Sequence, residues 1–599
     1  MKDHWWLKFV GLAVILRILL SSFLYHPDLK GIYHEATLIS KYGWVKGYEV
    51  GVKENTPLHY PPPVYLLFAT YQKIGSFLFT PNFNGWIESL DLRVGNYRGI
   101  YRDLLLMKMP IIITDLVIAW LLLRSVSDDQ KKQTALIWLF NPFSLYAIYG
   151  TSHFDVVPTS LTLASVICFG RKKTLSYIML GAGAGFKLFP LLLIPFWWLL
   201  DNRRLLLKTR DLTIAILTLV LSFIPILLSR EALSSILLSN LTTGLTKTGF
   251  DIGNNEHLPI YGVFYGLMLI LTTLGLLKKT PLAVIPLAIF GVYFGLNNFH
   301  PQWMLWLMPF LLLLTIKGWV NWRVALLSMV AYFATVFLIS DTYMTFALFS
   351  PTNEALISLP SVRQAVDLFG VGSQLQGFFH AVFLACMLWF VIEIIKTIKP
   401  NYQFPATPPI GILKLISLLA ISIGGLVILL HSWLTVKGMY IDFETLSQRE
   451  SVVLSRETTV QQDFIVTHNN FKGLQVMIKN IGLKSKADVY FTLTDKDGGM
   501  TQTFKINGGA IGDDFNLKLV FKQIRQSATH RYSLIITSPG APPVTEGTNI
   551  AVPYDSRSGE GLYINGKNIP GSLSYTTYFN PGSFFENLSY TFNKVRSRI

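Results

Sequence analysis

The residues able to do chemistry are conspicuous because so little of this chain is charged. Of 599 residues, 51% are hydrophobic and 14% charged, against about 25% charged in soluble domains. An ionisable side chain in or beside an apolar run is costly, so each is a candidate for function. Inside such runs stand Arg17, Asp115, Lys187 and Glu393; at their ends stand His153, Asp155 and His300, with Asp28 just beyond the first. A carboxylate such as Asp28 or Asp155 can take the proton of an attacking hydroxyl. A cation such as Lys187, His300 or Arg17 can neutralise a phosphate. With an apolar groove for a lipid tail, this set suits glycosyl transfer from a lipid-linked phosphosugar. Such a donor carries its own leaving group and needs no nucleotide site. The sequence has neither a P-loop nor a dinucleotide fingerprint, and "GAGAG" at 181–185 reads as small-residue helix packing. Each residue also has a plainer reading. Asp28 would cap a helix, Asp115 would be a buried hydrogen bonder, and Lys187 would pair Asp155. His300 would bond a carbonyl, Arg17 would snorkel or pair Asp115, and Glu393 would sit at the interface.

Those residues need membrane helices to hold them, because lipid offers the backbone no hydrogen-bond partners. The apolar runs predict about thirteen spans, at 5–24, 108–124, 135–150, 157–170, 175–186, 188–200, 211–229, 258–277, 281–299, 302–316, 324–340, 376–395 and 411–432. The short pair 175–186 and 188–200 reads as a broken hairpin. The first run lacks a cleavage pattern and reads as a retained anchor. With the N-terminus inside, clusters such as Arg124/Lys131/Lys132, Arg171–Lys173 and Arg203–Arg210 fall on the inner face. Lys187, Arg230, Lys247 and Arg363 fall in outer connections. This orientation requires that 60–79 does not cross, so 25–107 becomes one long outer loop with a helix on the membrane, started by Pro61-Pro62-Pro63. Asp28, His153, Asp155, Lys187 and His300 then share the outer level. The net charge of +16 serves orientation rather than nucleic acid. Cys168 and Cys386 lie in apolar runs and provide no disulfide framework.

Residues 434–599 lose the apolar runs and alternate, as in Leu474–Ile478, Asp488–Leu493 and Tyr532–Ile536, with a turn at Asp497-Gly498-Gly499. No helical period persists. The expectation is an extracytoplasmic β-sandwich, resembling galactose-binding-like carbohydrate modules in the text Asp463–Asn480, or else a cap without a ligand. Tyr575, Tyr578, Phe579, Phe584 and Phe585 could stack on sugars, rest on the membrane or pack in the core.

Six segments, in order over about residues 5–320, resemble the GT-C superfamily of polytopic glycosyltransferases that use polyprenyl- or dolichyl-phosphate sugars. They are "HPDLKGIYHEA", "HYPPPVYLLFA", "KMPIIITDLVIAWLL", "FNPFSLYAIYGTSHFDVVP", "GFKLFPLLLIPF" and "NNFHPQWMLWLMPF". The resemblance implies inverting transfer of a hexose, with mannose favoured, to a glycan or lipid-linked acceptor. Asp28 would be the base and Asp155 would orient the acceptor or sugar. Lys187, His300, Lys247 and Arg17 would hold the donor phosphate, and His153, Glu35 and Asp115 would bind acceptor or sugar. Proline, not glycine, precedes Asp28, which departs from the family pattern. No cofactor is implied, although Asp28, Asp155 and His153 have the donors for a divalent metal. The implied partners are the polyprenyl-phosphate sugar, the acceptor and membrane lipid. Competing readings are a ligase or polymerase using a lipid-pyrophosphate donor, a lipid-linked-sugar flippase or exporter, and a scaffold displaying the sandwich.

Overall fold

The computed structural model describes residues 5–53, 58–89, 91–227, 229–237, 248–253, 256–297, 300–339, 341–397, 440–445, 450–481, 485–512, 515–542, 550–556, 559–581 and 584–599. The predicted span 411–432 and Lys247 lie outside them. The chain divides into two compact units: Leu430–Val595 with Asn353–Leu359, and the remainder.

The first unit is helical. Among the described residues, Ile100–Arg124, Leu205–Ile226 and Gly372–Lys396 are long and apolar enough to cross a membrane. Phe9–Phe23 joins Pro27–Tyr42 through a 75° bend. The bend follows from Pro27, which cannot donate a backbone hydrogen bond and holds His26 extended at φ −122°, ψ 137°. Shorter apolar helices at Val156–Cys168, Phe189–Leu200, Ile260–Thr273, Val284–Leu296, Pro301–Ile316 and Trp322–Phe337 fall on predicted spans.

Two predicted boundaries are corrected. The helix expected from 108 begins at Ile100, because the polar text there is satisfied by protein. Asp103 accepts from Thr80 N (3.0 Å) and Tyr97 Oη (2.9 Å), and Lys108 Nζ donates to Leu24 O (2.6 Å). The run 135–150 is not one helix. Asp128–Leu139 ends before Asn141, whose Oδ1 caps Pro142–Leu145 by accepting from Phe143 N (2.9 Å), and a π-turn follows at Tyr146–Gly150.

Among its described residues the segment 25–107 carries four helices before Ile100: Pro27–Tyr42, Trp44–Lys53, Pro62–Ile74 and Phe83–Glu88. As the proline triplet predicts, Pro61 is an extended N-cap and proline opens the helix Pro62–Ile74. Leu38, Ile39, Tyr48, Leu58 and Tyr65 pack with Phe223 and Ile226 in one core. The "GAGAG" text packs helices as read: a Cβ on Gly181 would meet Ala215 O at 2.3 Å, and one on Gly185 would meet Ser222 Oγ at 2.2 Å.

The second unit is antiparallel β. Among the described residues one sheet runs Lys567–Ile569, Leu562–Ile564, Thr459–Ile465, Arg531–Thr537, Asp488–Asp495, Thr501–Asn507. The other runs Ser572–Leu573, Ile550–Asp555, Phe471–Asn480, Tyr575–Phe579, Tyr440–Thr445, with Glu450–Val453 pairing on Ile550–Asp555 and Phe515–Ile524 on Phe471–Asn480. Val460, Phe491 and Leu534 of the first sheet share a core with Leu474, Val476 and Val552 of the second. The alternation therefore marked real strands. Tyr575, Tyr578 and Phe579 are buried in a strand, which removes them as sugar-stacking platforms. A helix at Phe584–Arg598 corrects the expectation of no helix.

Candidate functional site

Asp28 stands in the first turn of Pro27–Tyr42, where a carboxylate is favoured by the helix dipole. Its backbone N–H donates to His26 Nδ1 at 3.2 Å, and its Oδ1 lies 3.5 Å from the same nitrogen. Its side chain keeps 47% of its surface open. Helical spacing sets Asp28, Gly31, Ile32 and Glu35 along one face, and all four line a cleft of about 330 Å³.

The opposite wall comes from three breaks in helical structure. The first is at Lys187, which ends the helix Lys173–Phe186 in extended conformation, at φ −157° and ψ 133°. The second follows the π-turn, where Ser152 adopts φ +54°, a strained value for a non-glycine residue. It leads into His153 and Asp155. The third is the 3₁₀ turn Pro301–Trp306, with His300, Gln302 and Trp303 on the cleft.

Lys187 Nζ donates to Asp155 Oδ1 (2.7 Å) and Oδ2 (3.0 Å). Its ammonium stands 5.3–5.9 Å from the ring centroids of Tyr60, Phe154, Trp303 and Trp306. Trp306 Nε1 donates to Asp155 Oδ2 at 3.2 Å. His153 Nδ1 lies 3.3 Å from Asp155 Oδ1, near enough for charge attraction, and its Nε2 is 3.0 Å from Tyr60 Oη. Burial alone would raise the Asp155 carboxyl, but Lys187 and His153 hold it down at about 2. Burial pushes Glu35 the other way, up to about 8, with Asp28 adding to the rise against a hydrogen bond from Tyr65. One Glu35 carboxyl oxygen, Oε2, is buried without a hydrogen-bond partner.

Of the predicted site residues, Asp28, Glu35, His153, Lys187 and His300 line the cleft together. Asp155 is fully buried behind it, with its oxygens engaged by Lys187 and Trp306. This corrects its expected place on the cleft, whose lining it does not join. Arg17 and Asp115 are corrected too. They are buried and face each other at 2.7 Å, with Trp138 Nε1 (2.8 Å) and Tyr149 Oη (2.8 Å) completing the carboxylate. They line no part of the cleft. Glu393 is buried and accepts from Asn321 N at 3.4 Å. Sequence reasoning missed His59, Gln302 and Trp303 on the cleft. His59 precedes the proline triplet and the other two follow His300, so proximity to the motifs was the available signal. Among the described residues no group of three or more His, Cys, Asp or Glu is arranged to hold a metal ion.

The arrangement can do one thing well chemically. It offers an open carboxylate and an enclosed ammonium to one aromatic-walled space. No protein-family model matches the sequence, and no curated protein matches it.

Proposed function

We propose that this chain is a GT-C-like inverting glycosyltransferase, moving a hexose, with mannose favoured, from a polyprenyl-phosphate donor to a glycan or lipid-linked acceptor on the extracytoplasmic face. The observation that carries the reading is Asp28, the solvent-open carboxylate, sharing a cleft with the Asp155-fixed ammonium of Lys187. In the proposed step Asp28 takes the acceptor hydroxyl proton while that oxygen bonds the anomeric carbon. The bond from the anomeric carbon to the phosphate oxygen breaks, and the electron pair leaves with the lipid phosphate. An ammonium has three donors and Asp155 takes two; the third serves the leaving phosphate, with His300 beside it. The short apolar helices between 156 and 337 complete the membrane domain, and the segment 25–107 stays outside with its helix Pro62–Ile74 on the lipid surface.

The test is sugar transfer by membranes holding wild type or Asp28→Asn, given radiolabelled polyprenyl-phosphate-mannose or -glucose with a crude lipid and glycan extract. Loss of a general base should lower the rate roughly 10²–10⁴-fold at unchanged protein level. Transfer that survives the change moves the base to Glu35, the other carboxylate on the cleft. Absence of transfer by wild type turns the reading toward a lipid-linked-sugar transporter.

A further inference from the structure

The strands Gly249–Gly253 and Glu256–Pro259 form an antiparallel ribbon in the first unit. Phe250 faces Leu258 directly across it, and the neighbouring pair is Asp251 with His257, joined Oδ1 to Nδ1 at 2.8 Å. Successive side chains along a strand point to opposite faces, so Phe250 and Leu258 share one face, with the exposed Glu256 on the same side at the tip, and Asp251 and His257 share the other. The apolar side chains are bare: Phe250 is 63% exposed, Leu258 42%, and Ile252, at the bulge, 60%. A lone two-stranded ribbon is marginal in water and needs something to pack against.

The chain itself indicates the partner. The ribbon runs without a linker into the apolar helix Ile260–Thr273, whose N-cap is Pro259, the last strand residue. That helix exposes Val263, Leu267 and Ile270, a stripe at i, i+4 and i+7 that suits lipid. Ile260 N donates to Thr248 O at 3.0 Å, so the root of the ribbon is fixed at the level where the helix begins. We propose that the ribbon lays its Phe250/Leu258 face, with Ile252, against the hydrocarbon of the bilayer, the Glu256 carboxylate at its tip reaching the headgroup water, and keeps its Asp251/His257 face in that water. The proposal rests on reading Ile260–Thr273 as a membrane helix. Thr248 Oγ1 also donates to Leu296 O, at the end of the helix preceding His300 and Trp303. The lipid-facing ribbon is thus rooted beside a wall of the cleft.

Nitroxide scanning of the full-length protein in phosphatidylethanolamine/phosphatidylglycerol vesicles tests this. Labels go singly at Phe250→Cys, Leu258→Cys, Asp251→Cys and Val263→Cys, with Cys168→Ala and Cys386→Ala in the background. Collision rates with oxygen, which concentrates in lipid, and with a water-borne nickel chelate are compared. The oxygen-to-nickel ratio should be several-fold higher at 250 and 258 than at 251. Equal, water-like access on both faces overturns the proposal, and so does shielding of 250 and 258 from both probes, which would mean protein covers them. Val263 reports separately: oxygen-favoured at 263 with water-like values at 250 sinks the ribbon alone, whereas nickel-favoured at 263 sinks the membrane reading of the helix. A photocrosslinking amino acid at 250 or 251, in the chain with both cysteines intact, reads the same contrast as crosslinking to labelled phospholipid.

Discussion

Lys187 and Glu35 are the two cleft residues whose chemistry depends most on their surroundings. Lys187 is an ammonium taken out of water, and such a charge persists only where a partner and hydrogen bonds replace the solvent; Asp155 and the four rings do so. Glu35 has no such cation, so burial favours its neutral form. The sign of the resulting linkage is definite. A carboxyl raised to about 8 in the folded chain, against about 4.3 unfolded, favours folding when protonated. That contribution is fully present below the unfolded value and drains as pH rises through about 8. Glu35→Gln, which cannot ionise, should therefore match wild type in Tm near pH 5 and exceed it by several degrees near pH 9. A Tm difference that stays flat across this range would show that Glu35 is ionised throughout and that its surroundings were misjudged. Which residue shared the cleft was legible only in part. Asp28, His153, Lys187 and His300 announce themselves as polar groups at the ends of apolar runs. Whether a charge faces a ligand or another residue is a three-dimensional matter, and Asp155 and Arg17 look no different in sequence from Asp28 and Lys187.

Elements, rather than single residues, explain where the expectations held and where they did not. Alternation marked the strands of the second unit because each buries one face in a shared core. The helix Phe584–Arg598 escaped notice because its apolar face is interrupted by polar residues and aromatics. The start of Ile100–Arg124 was hidden by Asp103 and Lys108, which look loop-like until Thr80, Tyr97 and Leu24 supply their bonds. The Arg17–Asp115 pair fastens two elements together. It joins Trp5–Phe23 to Ile100–Arg124, while Arg17 Nη1 also donates to Leu139 O at 3.0 Å. Asp115→Leu leaves a guanidinium buried without its counter-charge and should cost about 3–5 kcal/mol. The double variant Arg17→Met/Asp115→Leu removes both charges and should recover most of that loss. Thermal unfolding midpoints of the purified proteins in detergent measure both. Equal losses in the single and double variants would mean that the lost packing of these side chains, and not a stranded charge, sets the cost.

The topology proposed for the helical unit depends on one helix not crossing. That helix is Pro62–Ile74, with 13 residues no shorter than Val156–Cys168 and Val284–Leu296, so its surroundings rather than its length set it apart from the helices proposed to cross. It buries Val64, Tyr65 and Phe68 against protein and leaves Leu66 and Ile74 bare, the pattern of a helix lying along a surface. Were it a span, everything after it would invert, and Arg124, Arg171–Lys173 and Arg203–Arg210 would face outward against the positive-inside rule. Some of those basic residues also have structural duties: Lys173 and Arg203 bind Asp201 at 2.7 and 2.6 Å, and Arg203 and Arg210 bind Asp211 at 2.6 and 2.8 Å. Orientation is set by the Lys and Arg count, with Asp and Glu contributing little, so the ion pairs leave the expectation unchanged. A membrane-impermeant maleimide decides it through exposed positions. Lys46→Cys should label in intact cells, whereas Ser127→Cys and Lys172→Cys should label only in inverted vesicles, after subtraction of Cys168 and Cys386. Labelling at 127 and 172 from outside would make Pro62–Ile74 a span. With the other proposed crossings kept, inversion at that point would also part Asp28 from Lys187, which line one cleft. The cleft and the charge distribution therefore bear on the same proposed topology, and this labelling experiment tests both at once.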